Sequence, residues 1–402
     1  MKTLTTFVAV LVTTLTCWAD PVPQLPHAGD YEQWLRISND GRRVSLDESS
    51  AVWVWNTETR QLLRKMQGFE RVTCVEFNPD GNSLVVGDYP RWLGCFDCRD
   101  GIKKLWEFRG APKGQKDPQM VGGYDALFSP DGKWLLLISA SHGRQPGDPV
   151  VRLLNAHSGK VLREFPGWGG GGVNSNDFAF TPDGTGFLRA AKDKLQYYTV
   201  PDGRKVSEIR LGGGSFGLEA DPRGVICTHW VEGGTRIVSR LYQLPDLKMG
   251  EEKSQRDEAI SKHPGGSLSW SRQGEKLTVF KDGQPIWSGS SKDVVRNWVG
   301  GGGFLIANED KVSLYDGNGT FLCEVDRATR CNREGTLGVS IAGYGGPANV
   351  YHLVTGRTLA KLDFASDCVF SSDGRRAAIN LKKGVLIVDV PATLEQGRLE
   401  TP

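Results

Sequence analysis

The sequence has few of the features that mark common enzyme and nucleic-acid-binding classes. Its six histidines are dispersed, and no two have the H-x-x-x-H or H-E-x-x-H spacing of a zinc hydrolase. The 49 lysine and arginine residues nearly balance 47 aspartate and glutamate residues, giving a net charge of +2. This balance provides no broad attraction to nucleic acid or an anionic membrane. We therefore expect no nucleic-acid partner, no bound metal and no cofactor.

Long apolar runs are also missing, apart from a short one near the start. Lys2, an apolar stretch over residues 7–12, and Cys17-Trp18-Ala19 have the order of a signal peptide covering residues 1–19. The stretch is too short to span a bilayer. We therefore expect an exported protein, periplasmic or extracellular, with no transmembrane segment. Lipidation at Cys17 is the alternative, although Thr14 stands where such signals usually carry leucine.

Helical periodicity is absent from the remainder, and short strands and turns replace it. Residues 122–165 contain one complete unit, with predicted strands at 125–129, 133–139, 150–155 and 160–165. The first two are separated by Ser129-Pro130-Asp131-Gly132, in which proline presets the first turn position and glycine takes the left-handed one. The turn aspartates Asp40, Asp80, Asp131, Asp183 and Asp373 are therefore interpreted as turn formers rather than catalytic carboxylates.

Units of this kind fill the chain after a proline-rich leader at residues 20–30. We count nine within residues 31–402, each about 43 residues long, which is the length of a propeller blade. After the first, which begins near Tyr31, they cover residues 72–108, 122–165, 178–209, 217–249, 258–289, 294–325, 332–362 and 368–391. The sixth is weaker than the others, the seventh lacks the Pro-Asp-Gly turn but keeps the spacing, and the ninth has a poor fourth strand. Either the sixth or the ninth unit is incomplete, or the leader supplies a strand that closes the ring.

The third strands end in an aromatic or apolar residue followed by a polar one, as in Trp55-Asn56, Phe96-Asp97 and Tyr315-Asp316. This pattern resembles the Trp-Asp ending of WD40 blades, although the Gly-His pair of that family is missing. The chain is most similar to divergent bacterial WD40-like or YVTN-type propellers. The resemblance implies an all-β fold, a single WD40-like β-propeller of eight or nine blades, without the Asp–His network that braces many WD40 blades.

Two short motifs have the spacing of reactive sites. Residues 212–217 (GGGSFG) match both a dinucleotide loop and a hydrolase nucleophile turn, but each requires a following helix, and a strand is predicted there. Cys95 and Cys98 form a C-x-x-C motif on a predicted strand, where residues three apart point to opposite faces. We interpret both cysteines as structural, and a disulfide at a bent strand end is the alternative.

Aromatic and charged residues at blade junctions are the candidate binding groups, because a recognition loop needs a rigid anchor. Trp168 and Trp298 lie beside glycine runs, whereas Trp53, Trp55, Trp106, Trp134 and Trp270 lie on predicted strands and are expected between blades. The further loop candidates are Phe69, Glu70, Arg71, Tyr89, Arg91, His142, Arg144 and Tyr344. No catalytic residue is assigned.

These observations support an exported, non-enzymatic scaffold that binds a protein or glycan partner through its loop faces. The alternative is a secreted propeller enzyme with its site at the central axis, either a quinoprotein-like dehydrogenase or a metal-dependent lactonase or lyase. Residues 101–106 (GIKKLW) and 283–287 (GQPIW) resemble blade ends of quinoprotein dehydrogenases. The adjacent cysteine pair of that family is absent.

Overall fold

The described residues of the chain form nine antiparallel sheets, seven with four strands and two with three. The computed structural model describes residues 35–48, 50–88, 92–99, 101–109, 124–139, 149–166, 177–191, 193–211, 215–221, 224–231, 236–254, 268–273, 276–290, 292–299, 302–308, 311–326, 329–343, 345–382 and 384–396. Within these ranges no helix is long and apolar enough to cross a membrane. The all-β prediction and the count of nine units are confirmed.

The sheets are numbered 1 to 9 in chain order, and most are simple meanders. Sheets 1 to 3 contain β1 (Leu35–Ile37), β2 (Arg43–Glu48), β3 (Ala51–Asn56), β4 (Leu62–Gln67); β5 (Val72–Phe77), β6 (Ser83–Asp88), β7 (Trp92–Asp97), β8 (Lys103–Arg109); and β9 (Tyr124–Phe128), β10 (Trp134–Ser139), β11 (Pro149–Asn155), β12 (Val161–Pro166). Sheets 4 to 6 contain β13 (Phe178–Phe180), β14 (Gly186–Ala191), β15 (Lys194–Thr199), β16 (Lys205–Arg210); β17 (Ser215–Asp221), β18 (Gly224–Val231), β19 (Arg236–Gln243), β20 (Lys248–Ser254); and β21 (Leu268–Gln273), β22 (Lys276–Lys281), β23 (Gln284–Ser290). Sheets 7 to 9 contain β24 (Val294–Val299), β25 (Gly303–Ala307), β26 (Val312–Tyr315), β27 (Phe321–Val325); β28 (Arg330–Cys331), β29 (Leu337–Ile341), β30 (Gly346–His352), β31 (Arg357–Ala365); and β32 (Asp367–Phe370), β33 (Arg376–Leu381), β34 (Gly384–Asp389), followed by the helix α1 (Val390–Gln396).

Each central strand buries both of its faces, which explains why these strands are continuously apolar. On β10, Leu135 and Leu137 pack toward sheet 2, while Leu136 and Ile138 pack toward sheet 4. All four are fully buried, and each such side chain contributes about 1.5–3 kcal/mol of hydrophobic stabilisation. A single sheet has no partner for two apolar faces, so the sheets must stack on one another.

The stacking closes into a ring. Leu35, Val44 and Trp55 of sheet 1 share one buried cluster with Ala378 and Val385 of sheet 9. Arg376 of sheet 9 also donates hydrogen bonds to the Gly41 carbonyl (3.2 Å) and the Thr57 hydroxyl (2.8 Å) of sheet 1. First strands contact one another between sheets 9 and 1, 1 and 2, 2 and 3, and 4 and 5, so the fold is a β-propeller with its first strands at the axis.

An antiparallel meander places alternate turns at opposite ends, which gives the ring two distinct faces. The turn face carries the tight turns that follow the first and third strands of each sheet. The loop face carries the loops between second and third strands, together with the connections from one sheet to the next. The two faces differ in the residues available for recognition.

The turns after the first strands confirm the assignment of their aspartates as turn formers. Asp183 accepts hydrogen bonds from the Thr181 hydroxyl (2.6 Å) and from the Thr185 backbone N–H (3.1 Å). These bonds, that of Thr181 foremost, hold the pKa of Asp183 below its usual value. The same pattern recurs at Asp40, Asp131 and Asp373, so these carboxylates are occupied by their own turns.

Neighbouring turns are joined across sheets by one recurring hydrogen bond. The side chain of one turn donates to the carbonyl of the left-handed glycine in the next, as Asn78 does to Gly132 (3.0 Å). Arg43 to Gly81 (2.9 Å) and Asn332 to Gly374 (3.2 Å) repeat the arrangement. Together with the bond from Arg376 to Gly41, these bonds join the turns of sheets 8, 9, 1, 2 and 3 into one continuous surface.

The outer strands add a second inter-sheet contact on this face. The Trp106 indole N–H on β8 donates to the Ala156 carbonyl of sheet 3 (2.9 Å), and its ring lies against Gly159. The GIKKLW segment, which resembles quinoprotein blade ends, thus packs one sheet on the next. Trp53 and Trp55 are buried, and Trp134 and Trp270 pack against inter-sheet clusters, as expected.

Sheet 8 contains a brace that replaces the missing Asp–His network. One carboxylate oxygen of Asp326, on the connection into the sheet, accepts hydrogen bonds from Ser340 (2.6 Å), Asn349 (3.1 Å) and Tyr351 (3.3 Å). The bond from Ser340 is the main reason that the pKa of Asp326 is lowered. An acid on a connection therefore joins a second strand to a third strand without histidine.

Sheets 6 and 9 are the incomplete ones, as their sequences indicate. Third and fourth strands of the complete sheets are paired with a register shift, such as that between Cys95 and Phe96. The pair β22–β23 has this shift, whereas β33–β34 does not. Among the described residues, sheet 6 therefore lacks a first strand and sheet 9 a fourth. Helix α1 follows β34 instead, with Pro391 in its first turn, where proline is tolerated. The leader lies outside the described residues.

Candidate functional site

The loop face of sheet 2 brings together three of the four candidate residues that the structure describes, Phe69, Glu70 and Arg71. Phe69 and Arg71 lie on the connection from β4 to β5, with Phe69 half-buried and Arg71 exposed. Tyr89, Arg91, Trp168 and Tyr344, as well as His142 and Arg144, lie outside the described residues. In the sequence, Tyr89 and Arg91 fall between β6 and β7, whose adjoining ends lie at the same face.

Trp298 lies on a strand rather than on a loop. Its backbone is within β24 and is paired with Phe304 of β25. Since β24 and β25 are the first and second strands of sheet 7, the end of β24 that carries Trp298 adjoins the turn face. The expectation of an aromatic residue on a glycine-rich loop is therefore wrong for Trp298, because its backbone is paired within the sheet.

A single carboxylate holds two loops of sheet 2 together. Asp88, at the end of β6, accepts hydrogen bonds from the backbone N–H groups of Glu70 (3.2 Å) and Arg71 (2.8 Å). Backbone N–H groups are well held by an ionised acceptor, because such bonds are stronger than neutral ones. The connection carrying Arg71 is thus fixed against the end of β6. We call this arrangement, residues 69–71 with Asp88 and Trp92, the loop pair.

An aromatic group lies beside the Asp88 contact. The rings of Phe69 and Trp92 are 5.8 Å apart, and Phe96 is 6.1 Å from Trp92. The Trp92 indole N–H donates to Glu107 (3.1 Å), and hydrogen bonds from Lys104 and Trp92 lower the pKa of Glu107 to about 2. The half-buried Trp92 is thus anchored at its polar end while part of its surface remains accessible.

Sequence reasoning missed Trp92, which is the central ring of this group. The available signal was Gly94, two residues further on the same strand. A Cβ atom built on Gly94 would lie 2.2 Å from the Trp92 ring, so only glycine leaves room for the indole to lie over the strand. An aromatic residue two positions before a glycine on a strand therefore indicates a ring lying flat along the sheet.

The central axis carries charged groups from consecutive first strands. Arg36, Glu76 and Asp125 come from sheets 1, 2 and 3, with 4.0 Å between Arg36 Nε and Glu76 Oε2. On the other side of sheet 1, Arg330 pairs with Asp367 at 2.8 Å. Burial raises the pKa of Glu76 to about 7, Arg36 opposes this rise, and Asp125 adds to it. Glu76 is therefore a proton-exchanging group near neutral pH.

Under the alternative of a secreted propeller enzyme, the central axis is the expected place of the catalytic site. In the described part of the chain, no three histidine, cysteine, aspartate or glutamate side chains form a group suited to a metal ion. Arg36 stands between the acids of sheets 9 and 2, so positive and negative groups alternate there. This arrangement differs from a cluster of converging acids.

The C-x-x-C motif is structural. Cys95 packs toward sheet 3, whereas Cys98 packs toward sheet 1, and neither forms a disulfide. Burial raises the pKa of both thiols to about 12, so neither is a thiolate at neutral pH. The alternative of a disulfide at a bent strand end is wrong, because the two side chains leave opposite faces of the sheet.

The glycine-rich motif at residues 212–217 is followed by a strand. Residues 212–214 lie outside the described residues, but Ser215 begins β17. A phosphate loop or a nucleophile turn requires a helix at this point. The interpretation of the motif as a link between sheets 4 and 5 is therefore supported by the strand that follows it.

Comparison with known proteins agrees with the observed fold. The family model described as "WD domain, G-beta repeat" matches residues 60–98, which extend from the end of sheet 1 to the third strand of sheet 2. No curated protein matches the chain. The solved structure titled "Crystal structure of the eukaryotic initiation factor" superposes with a TM-score of 0.57 at 14% identity, covering 87% of this chain and 93% of that one.

A second solved structure, the dihydro-heme d1 dehydrogenase NirN in complex with DHE, has a TM-score of 0.50 at 14% identity. The match covers 90% of this chain and 70% of that one. At such identities these matches establish a shared fold. The family match lies on the part of the chain that includes the loop pair.

Proposed function

We propose that this WD40-like repeat protein is an exported, non-enzymatic scaffold that binds a protein partner through the loop pair of sheet 2. The observation that carries the proposal is the Asp88 carboxylate, which fixes the Arg71 connection beside the Phe69–Trp92 aromatic group. Export rests on the signal-peptide pattern of residues 1–19.

The loop pair has the composition of a protein-binding centre. Tryptophan, tyrosine and arginine dominate binding energy at protein interfaces, where they lie in well-packed positions surrounded by weaker contacts. Here the Trp92 indole is held by Glu107 and the backbone at Arg71 by Asp88, so the ring and the connection lose little further conformational entropy on binding. A partner carrying an acidic group beside an apolar one would complement both.

The test is partner capture with the mature chain, residues 20–402, as bait in envelope extract after chemical cross-linking. We expect Arg71→Glu to reduce the recovered partner about tenfold, a change within the range of interface hot spots. Arg357→Glu is the matched control, because it changes one exposed arginine by the same charge at the turn face of sheet 8. Equal recovery with both variants would contradict the proposal. A partner released by free sugars would favour a glycan.

A second candidate function is a secreted propeller enzyme, and the position of Glu76 favours it. A general acid acts best when its pKa is near the working pH, and the pKa of Glu76 is about 7. The chemistry would be that of a quinoprotein-like dehydrogenase or a metal-dependent lactonase or lyase. The test is turnover of alcohols, lactones and uronides with added quinone or divalent metal. Activity that disappears in Glu76→Gln would replace the scaffold proposal.

A further inference from the structure

The outer edge of sheets 1 to 4 carries an excess of positive charge. Six exposed cations lie on β4, β8, β12 and β16 or on the turns leading into them: Arg60, Arg64, Lys103, Lys160, Arg163 and Arg210. Among the described residues, none of the six has a carboxylate within ion-pair distance. We call this set the basic belt.

The acids on the same edge are already neutralised by other cations. Glu107 pairs with Lys104 at 2.9 Å, and Glu208 pairs with Lys194 at 2.8 Å and Lys205 at 2.7 Å. Glu164 pairs with Arg152 of its own sheet at 2.7 Å. The charge of the belt is therefore not cancelled within the edge and extends into solvent over about one Debye length, roughly 8 Å at physiological salt.

Protection of open strand edges does not account for the belt. Lysine and arginine often keep edge strands from pairing with other chains, and this purpose applies to every sheet of a propeller. The outer hairpin of sheet 7, with β26 and β27, instead carries Asp316 and Glu324 and has neither lysine nor arginine. The outer strand of sheet 8 carries two such cations, Arg357 and Lys361, so six on four consecutive sheets form the larger concentration and have the form of a binding surface.

The side chains between the cations narrow the class of ligand. The aromatic residues of these four outer strands are Trp106, Phe108 and Phe165, and all three are at least half-buried in packing between sheets. Single-stranded nucleic acid gains much of its binding energy by stacking bases on exposed rings. An edge with cations and without exposed rings fits a polymer that carries charge but no bases.

We propose that the basic belt binds an extended acidic polysaccharide, with its sulfate or carboxylate groups on the cations of successive sheets. A chain of regularly spaced charges matches cations distributed over four sheets better than a single short acidic peptide does. This surface is separate from the loop pair, so the proposal does not depend on the partner proposed above.

The test measures binding of a size-defined heparin oligosaccharide to the mature chain by fluorescence anisotropy. We expect binding at about 0.15 M salt that strengthens about tenfold or more at about 0.05 M, because the contacts are ionic and screened. The triple variant Lys103→Gln/Lys160→Gln/Arg210→Gln should weaken binding about tenfold or more, since it removes half of the belt's charges. These residues are exposed, and circular dichroism will verify that the variant is folded.

The matched control is Lys276→Gln/Arg357→Gln/Lys361→Gln, which removes three exposed cations from sheets 6 and 8. It should leave heparin binding within about twofold of the parent, because these cations lie on sheets 6 and 8, outside the four sheets of the belt. Equal loss in both triple variants would assign binding to net charge and overturn the proposal. So would tighter binding of a thymidine oligonucleotide or of polyglutamate, or no binding at about 0.15 M salt.

Partner binding by the loop pair and polysaccharide binding by the basic belt can be refuted independently of each other. Arg71→Glu tests the loop pair and should leave heparin binding unchanged, because Arg71 is on the loop face and outside the belt. The triple variant of the basic belt should leave partner capture unchanged, because its three residues lie outside the loop pair. Loss of one function in one variant therefore identifies the surface responsible.

Discussion

At the scale of single residues, Glu76 is the group whose surroundings change its chemistry most clearly. Burial and the nearby Asp125 favour its protonated form, and Arg36 compensates only in part. Asp47 and Cys74 are the other titratable groups in this region, since Asp47, Glu76 and Asp125 all act on Cys74. The ionised form of Glu76 therefore costs folding free energy.

The expected consequence is a pH-dependent stability. The folded-state pKa of Glu76, about 7, lies above its ordinary value of 4.5, so its stabilising contribution is complete below 4.5 and is lost as pH rises through 7. The melting temperature of Glu76→Gln should therefore rise relative to that of the parent as pH increases from 4.5 to about 7, the window that these two pKa values define. The exposed Glu70→Gln is the control and should show no such trend. A constant difference between Glu76→Gln and the parent would contradict the assignment.

At the scale of elements, the repeated feature is a glycine turn against which the preceding sheet packs. Gly159 has φ of +68°, and a Cβ atom there would lie 2.6 Å from the Trp106 ring. The turn therefore needs glycine for two reasons, its left-handed backbone and the indole above it. Gly283, in the corresponding turn of sheet 6, has φ of +78° but has no atom within 4 Å of its Cβ position among the described residues.

Comparing Gly159 with Gly283 separates the cost of the left-handed backbone from the cost of the contact with Trp106. Gly283→Ala should lose only the backbone contribution, about 1–2 kcal/mol. Gly159→Ala should lose that amount and also the cost of displacing Trp106, giving a total of about 3 kcal/mol. In a Trp106→Leu background the Gly159→Ala cost should fall toward that of Gly283→Ala. The free energies of unfolding are measured in urea for Gly283→Ala, Gly159→Ala, Trp106→Leu and the double variant Trp106→Leu/Gly159→Ala. Equal costs at both glycines would refute the proposed packing role of Trp106.

At the scale of the whole molecule, the ring depends on contacts between its first and last sheets. Arg376 reaches from sheet 9 to the Gly41 carbonyl and the Thr57 hydroxyl of sheet 1. Arg43 makes the corresponding bond inside the ring, from sheet 1 to the Gly81 carbonyl of sheet 2. Closure thus uses the same hydrogen bond as an ordinary junction between sheets.

Loss of the closing bonds should destabilise the complete ring. Arg376→Met keeps the aliphatic part of the side chain and removes the guanidinium, so we expect a loss of about 1.5–3 kcal/mol in the free energy of unfolding. Arg375→Met is the control, because its side chain is exposed and makes no hydrogen bond between sheets within the described ranges. Urea midpoints provide the comparison. Equal midpoints for the two variants would show that closure does not depend on Arg376.

Much of the fold was predictable from the sequence because it rests on local signals. The predicted strand 133–139 is β10 (Trp134–Ser139), and 150–155 is β11 (Pro149–Asn155). These elements are set by turn residues such as Asp131 and Gly132 and by continuous apolar runs, both of which are readable within about ten residues. The candidate site was less predictable, because Trp92 is anchored by Glu107 of the neighbouring strand β8, a contact that pairing across the sheet creates.

The sequence by itself determined the all-β class, the nine units, the turn role of the aspartates and the weakness of the sixth and ninth units, because each follows from neighbours along the chain. Only the tertiary structure decided that Trp298 is on a strand, that Asp88 joins the Arg71 connection to β6, and that Arg36, Glu76 and Asp125 meet at the axis. It also showed that the unpaired cations lie along the edges of four adjacent sheets. These features depend on side chains from different sheets, and stacking in a closed ring brings residues together that are far apart in the sequence.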